Sequence, residues 1–353
     1  MSYRPKVVLA LLVAAVAAGL FAVDLGLKHM EDSELHGEAA HAFSEGSRLL
    51  ALHSNPAALE RLQHAYSLER RNSIYAVELV AAWMANGSYP QAEALLEDVL
   101  RSDPNNGRAN LLAARLMSAT SRWPDAIPYY HRAIYGTWPG DQARERVRTR
   151  LEFIQALRDH GREREILSEV LALQGEGPDD PEMQKLIAGL FLVADSPSRA
   201  AALYRQLIRH SPNDASLDEG LGQAELALGD FRAAQIAFLS AFSRSPAIPG
   251  LQQRIELSGS LAALDPTPRR LSSAEKLRRS QEVLLLAQGE AADCLPQPLP
   301  TQPEPLKTAV TNEAAEHLLS LAAQLWRDVQ KSCPARTSAR SEKLRLLMRK
   351  LEA

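Results

Sequence analysis

The sequence predicts an all-α chain of paired helices, on three observations. Of 353 residues, 46% are hydrophobic but only 5% aromatic; alanine and leucine carry the apolar share, and both are strong helix formers. The chain repeats itself at a step of 34 residues between positions 39 and 248. Proline and glycine fall between the repeated segments, where helices stop and turn. The composition also excludes several classes. With 40 basic and 43 acidic residues and a net charge of −3, the chain lacks the basic excess of a dedicated nucleic-acid binder. Two cysteines exclude a disulfide-dense scaffold and a four-cysteine zinc site.

The first element is an apolar N-terminal helix. Val7 to Val23 is seventeen residues without a charge, preceded by Arg4 and Lys6 and closed by Asp24. A run of roughly 17 residues is the lower limit of a bilayer span, and basic residues on its N-terminal side favour a cytoplasmic N-terminus. The expectation is a cytoplasmic stub and transmembrane anchor over 1–28. The chain would then be single-pass in the inner membrane through residues 7–23, with its repeats periplasmic or extracytoplasmic. Val16-Ala17-Ala18 also looks like a cleavage site after a short apolar segment, so a secreted or periplasmic chain after signal cleavage stays open.

The repeats follow, in windows 39–72, 73–106, 107–140, 147–180, 181–214 and 215–248, with Asp141–Arg146 inserted before the fourth. Each first helix carries a small or β-branched residue at Gly46, Val80, Ala114, Ile154, Ala188 and Gly222. Each second helix opens on Ala58, Ala92, Ala126, Ile166, Ala200 and Ala234, with a bulky residue four positions on: Leu62, Leu96, Tyr130, Val170, Tyr204 and Phe238. Small residues let two helices approach, and the bulky one fills the groove between them. Asn86-Gly87, Gly161 and Gly229 suit the turn inside a pair, where positive φ is cheap in glycine. Pro104, Pro178, Pro212 and Pro246 close the second helices. This pattern resembles the tetratricopeptide repeat (TPR) family. The resemblance implies a right-handed superhelical solenoid of about six helix pairs, with 249–264 as a capping helix built on Leu251, Ile255, Leu257, Leu261 and Leu264.

Residues 265–353 read as a separate C-terminal helical module. Asp265-Pro266-Thr267-Pro268 breaks the array, and Ser272 to Glu275 reads as a capping box opening a helix to about Ala292. A spacer over 295–307 holds five prolines and should be extended and stiff. A helix follows from about Ala309 to Lys331, then a basic one from Ser338 to Leu351 whose leucines need a surface, most simply the preceding helices. In an exported chain Cys294 and Cys333 are expected to pair. The spacer extends about 40 Å at roughly 3.1 Å per residue, and the next helix returns roughly 36 Å at 1.5 Å per residue. Two free thiols remain the alternative.

No catalytic or cofactor pattern is present: no phosphate-binding glycine loop, no nucleophile elbow, no zinc-protease pair. The His36–His41 spacing is wrong for one helical face. The chain is therefore expected to be non-catalytic, with no metal, no small-molecule cofactor and no nucleic acid, and its partner a protein or peptide. The resemblance places the first helices on the concave face. Inward positions there include Val77, Ala81, Met84, Arg108, Leu111, Arg115, Arg148, Leu151, Gln155, Arg158, Lys185 and Gln223. Phe43, Ser47 and Glu78 stand where the family's carboxylate-clamping members carry Lys and Asn, so that clamp is not expected. What remains is a basic stripe (Arg108, Arg115, Arg148, Arg158, Lys185, with Gln155) beside an apolar half (Val77, Met84, Leu111). It suits a segment with one acidic and one hydrophobic half. The leading function is a membrane-anchored interaction scaffold in envelope biogenesis or secretion. The alternatives are a structural subunit held by convex and C-terminal surfaces, and an accessory domain for an envelope enzyme.

Overall fold

The structure, a computed structural model, describes residues 4–177, 180–295, 311–334 and 338–352; for residues 4–18, 22, 26 and 27 it describes the backbone alone. Among the described residues all regular structure is helical. The first seven helices are α1 (Arg4–Ala51), α2 (Asn55–Leu68), α3 (Ser73–Ala85), α4 (Tyr89–Ser102), α5 (Gly107–Ala119), α6 (Trp123–Tyr135) and α7 (Gln142–Asp159). Then come α8 (Glu163–Glu176), α9 (Pro181–Val193), α10 (Pro197–His210), α11 (Ala215–Leu228), α12 (Phe231–Arg244) and α13 (Leu251–Leu264). The C-terminal helices are α14 (Ser273–Ala292), α15 (Asn312–Ser332) and α16 (Ala339–Glu352). The chain divides into two compact units, Met1–Gln155 and Ala156–Ala353. Unit 1 pairs α1 with α2, α3 with α4 and α5 with α6; unit 2 pairs α9 with α10 and α11 with α12.

Local chemistry sets the two helices of most pairs apart, with exceptions at the second helix α12, capped by Asp230, and the first helix α9, which opens with Pro181. First helices are capped by a side chain: Asn72 Oδ1 accepts from Ile74 N at 3.1 Å, Asn106 Oδ1 from Ala109 N at 3.0 Å, and Asp214 Oδ1 from Ser216 N at 2.9 Å. Second helices α2, α4, α6 and α10 instead open with Pro56, Pro90, Pro124 and Pro197 in the first turn, where a missing N–H costs nothing. Between them the chain reverses through one left-handed residue: His53, Gly87, Ser121, Gly161, Asp195 and Gly229, with φ from 48° to 76°. Three of the six are not glycine. A left-handed L-residue costs about 1–2 kcal/mol, and the extra unfolded-state entropy of glycine offsets part of that. Ser121→Gly is therefore expected to stabilise the chain by about 0.5–1 kcal/mol in urea denaturation; a destabilised variant would show that the Ser121 side chain contributes more than its backbone strain costs.

Packing follows the small-against-large pattern. A Cβ added at Gly46 would come within 2.6 Å of Leu62, and one at Gly222 within 2.5 Å of Phe238; both partners are fully buried. The inserted 141–146 segment is not a loop. α7 starts at Gln142 and runs 18 residues, against 13 in α3, α5 and α9. Gln-Ala-Arg-Glu-Arg is a sequence of good helix formers, so the insertion lengthens the first helix of the fourth pair.

The N-terminal expectation is corrected. Among the described residues no helix is long and apolar enough to cross a membrane, so the single-pass inner-membrane topology is not supported. The charge-free run 7–23 is short: at 1.5 Å per residue it spans about 25 Å, against about 30 Å of hydrocarbon. It also has no boundary of its own, because α1 continues from Arg4 to Ala51 as one helix that supplies the first element of the first pair.

Within unit 2, α14, α15 and α16 form a three-helix cluster. Leu277, Val283 and Leu284 of α14, Leu318, Leu325 and Trp326 of α15, and Leu344, Leu347 and Met348 of α16 form one core with Phe231 and Leu261. The Ser272 side chain caps α14, accepting from Glu275 N at 3.2 Å. Glu275 does not complete the box; it pairs with Arg278 and Arg279, whose hydrogen bonds hold its carboxyl down at about 2. Cys294 and Cys333 are bonded, with S–S 1.99 Å and Cα–Cα 6.4 Å. The proline spacer expected over 295–307 lies, from 296 onward, outside the described residues.

Candidate functional site

The first-helix faces hold the expected site residues, and each unit is taken by itself. In unit 1 two of the basic residues, Arg108 and Arg115, are paired with carboxylates about one repeat away. Arg108 meets Glu78. Arg115 makes a two-pronged contact with Glu152, Nε to Oε1 and Nη2 to Oε2, both at 2.7 Å. That hydrogen bonding raises the Arg115 pKa further above its already high value. Burial pushes the neighbouring Tyr130 phenol up to about 12, and the Glu152 charge adds to the shift; Tyr130 stacks on Phe153 with centroids 4.9 Å apart. Arg148 is mostly exposed and lies 3.9 Å from Glu145 on its own helix. Gln155 is exposed.

The expected apolar half is redistributed. Val77 and Leu111 are 3% and 8% exposed, so both pack inside unit 1 and present nothing to a ligand. Met84 remains half-buried on the face. Sequence reasoning missed Ile74, which stands 63% exposed at the position that Arg108 takes one repeat later. Phe43, Leu50 and Ala81, at other first-helix positions, are half-buried, and Phe43 stacks on Tyr75 at 4.7 Å.

Unit 2 repeats the arrangement of charges. Lys185 Nζ donates to Asp214 Oδ2 at 3.0 Å, and Arg254 meets Glu219. Burial works to raise the Asp214 carboxyl, but Ser216 and Lys185 hydrogen bonds outweigh it and the net shift is downward. Arg158 is exposed on α7. Four pairs thus link successive first helices at separations of 30, 37, 29 and 35 residues. Opposite charges about one repeat apart were the signal available in the sequence. Of the expected basic stripe, Arg108, Arg115 and Lys185 are paired with carboxylates about one repeat away, and an incoming acidic group would compete with Glu78 and Glu152 for Arg108 and Arg115. Both members of the Arg115–Glu152 pair are partly exposed. A double-mutant cycle with Arg115→Ala and Glu152→Ala should give a coupling of only about 0.5–1 kcal/mol in urea denaturation; a coupling several times larger would make the pair a structural clamp.

Among the described residues no group of three or more His, Cys, Asp or Glu side chains is placed to hold a metal ion; His36 lies against Glu69.

Residues 49–116 and 84–135 match one family model described as tetratricopeptide repeat, and residues 187–247 match a second of the same description. No curated protein matches the sequence. Among solved structures, the C-terminal part of a TPR repeat-containing protein from Cytophaga hutchinsonii is 9% identical, with a TM-score of 0.43 over 84% of this chain and 97% of that one. A tetratricopeptide repeat protein from Parabacteroides merdae is 11% identical, with a TM-score of 0.34 over 88% and 99%. YrrB, described as a TPR protein with an unusual peptide-binding site, is 13% identical, with a TM-score of 0.33 over 65% and 97%.

Proposed function

Proceeding from a chain built on tetratricopeptide repeats, we propose that it is a non-catalytic protein–protein interaction scaffold, and that the first-helix face of unit 1 holds a segment of its partner. One observation carries this reading: Ile74 stands exposed and Met84 half-buried on the same first helix as Glu78, which pairs with Arg108, and the first-helix positions Phe43, Leu50 and Ala81 are apolar and only half-buried. Accessible apolar side chains on a helix with an exchangeable ion pair suit a segment with one hydrophobic anchor and one acidic end. The anchor gains by leaving water, and a carboxylate replacing Glu152 keeps the fork of Arg115 filled.

The test is capture from a lysate by the tagged full chain, with bound proteins identified by mass spectrometry. The capture is repeated with Ile74→Asp plus Met84→Lys and with Arg108→Glu plus Arg115→Glu. Both pairs should leave the chain folded and should each weaken the same captured protein by roughly 1–3 kcal/mol. Undiminished capture by both folded variants removes the site from this face. A second reading, a structural subunit gripped on its second-helix side, is supported by Ile236 and Leu239, both exposed on α12; Ile236→Lys with Leu239→Lys would then abolish capture instead.

A further inference from the structure

Unit 2 already carries a helix on its first-helix side. α16 buries one stripe, Leu344, Leu347 and Met348, at the i, i+3, i+4 spacing of a helix lying in a groove. The core that receives it is built mainly by α14 and α15 with Phe231 of α12, and Leu226 of α11 and Leu257 of α13 pack against its edge. In the repeat register Leu226 takes the place of Met84 and Leu257 that of Ala81, so both belong to the face that the proposed function assigns to partners. Charge fixes the far end of the helix. Arg349 pairs with Asp195, and Lys350 Nζ lies 2.6 Å from Asp265 Oδ2 and 5.1 Å from the centroid of the Phe231 ring. Asp195 follows α9 and Asp265 follows α13, so two basic residues on α16 meet the acidic turns that end two first helices.

The fastening of α16 differs from that of its neighbours. α15 is bonded to α14 through Cys294–Cys333. α16 has no covalent tie; its start is held by Ser341 Oγ, which donates to the buried Glu290 Oε2 at 2.8 Å, and by Ser338 Oγ, which donates to Glu290 Oε1 at 2.5 Å. Among the described residues, grooves flank it on both sides: one of about 680 Å³ towards Trp326 and Val329 of α15, and one of about 410 Å³ towards Gln253 and Leu257 of α13. α16 is thus held by one apolar stripe, one exposed ion pair (Arg349–Asp195), one largely buried pair (Lys350–Asp265) and the Ser338 and Ser341 hydrogen bonds to Glu290, all of them non-covalent and so able to open without bond cleavage.

We propose that α16 is an internal occupant of a helix-binding face, and that this face accepts a basic amphipathic helix from another protein in its place. The inference rests on reading the first-helix face as the binding face, here in unit 2. The incoming helix carries the pattern of α16: apolar residues at i, i+3 and i+4, then two cations. Binding in trans requires displacement of α16, so the chain's own C-terminus sets the threshold for its partner.

The probe is a fluorescein-labelled synthetic peptide of residues 338–352, titrated with the full chain and read by anisotropy. In the full-chain variant Leu344→Asp with Leu347→Asp, α16 no longer competes, and the peptide should bind at least about 10-fold tighter than to the wild-type chain, the factor expected when the competent state is populated at about a tenth. A peptide with Arg349→Glu and Lys350→Glu should lose that binding. Equal affinity for wild type and variant, or no binding to a variant that circular dichroism shows folded, overturns the proposal. Hydrogen exchange of the wild-type chain gives a second reading that needs no variant: amides of α16 should exchange before those of α14, and exchange of both as one unit also overturns it. If the Ile74 and Met84 substitutions abolish capture while the peptide fails here, the unit 1 reading stands and this one falls.

Discussion

Phe238→Ala is expected to cost about 3–5 kcal/mol, the range for deleting a fully buried aromatic ring. Phe238 is fully buried, and its ring lies in the space left by the absent side chain of Gly222, where an added Cβ would come within 2.5 Å. Ala234, Ala241, Leu251 and Ile255 complete the cluster. Two of these four are alanines with no length to reach into the void, and a glycine backbone opposite cannot fill it, so the cavity should persist. In a repeat array each pair is stabilised by its neighbours, so the loss should also loosen α13, which packs on α12. Urea denaturation of the full chain checks the total, and hydrogen exchange checks the location. The control is Ile236→Ala on the same helix: Ile236 is mostly exposed, and its truncation should change stability by no more than about 0.5 kcal/mol. A Phe238→Ala loss near the control's would mean that α11 closes onto α12 and removes the cavity.

That packing was legible in the sequence because the signal is local and repeated. Gly222 and Phe238 stand in the positions of Gly46 and Leu62, so one phase fixed all the pairs. The turn residue was half legible. Glycine announces positive φ at Gly87, Gly161 and Gly229, but His53, Ser121 and Asp195 adopt it with no local sign beyond the step of the repeat. Other features depended on distance. The burial of Val77 and Leu111 turns on which neighbour covers a given face of the first helix, and a pattern of apolar residues does not tell a groove wall from a packed seam. Glu290 was invisible for the same reason: the hydroxyls that satisfy its buried carboxylate are 48 and 51 residues away. The inserted 141–146 segment went the other way. Repeat phase treated it as extra, while its helix-forming residues already said that it would join α7. The apolar N-terminal run misled by composition, since absence of charge measures hydrophobicity and not the length or ends of the helix that contains it.

Cys294→Ser with Cys333→Ser is the second large effect. The bridge joins residues 39 apart in sequence, and the loop-closure relation gives about 4 kcal/mol for a loop of that size. The loop contains α15, whose Leu318, Ala322 and Leu325 are fully buried in the C-terminal core. The apolar contact between α14 and α15 does not depend on the bond, so the module should still form in its absence. Its urea midpoint should fall, and hydrogen exchange should speed in α15 while leaving unit 1 unchanged. Wild-type chain in excess reductant should behave as the double variant does, and adding reductant to the double variant should change nothing. Retention of full stability in the reduced wild type would show that the unbridged, unfolded loop is already compact, so that closing it removes little entropy. Thiol titration of the denatured, unreduced chain is the prior check: two reactive thiols would mean that the bond does not form, and the predicted loss would then vanish with it. Because α16 rests on α14 at Glu290, four residues before Cys294, a looser α14–α15 pair should also lower the threshold for displacing α16, and the labelled 338–352 peptide should bind the double-serine variant more tightly than the oxidised chain.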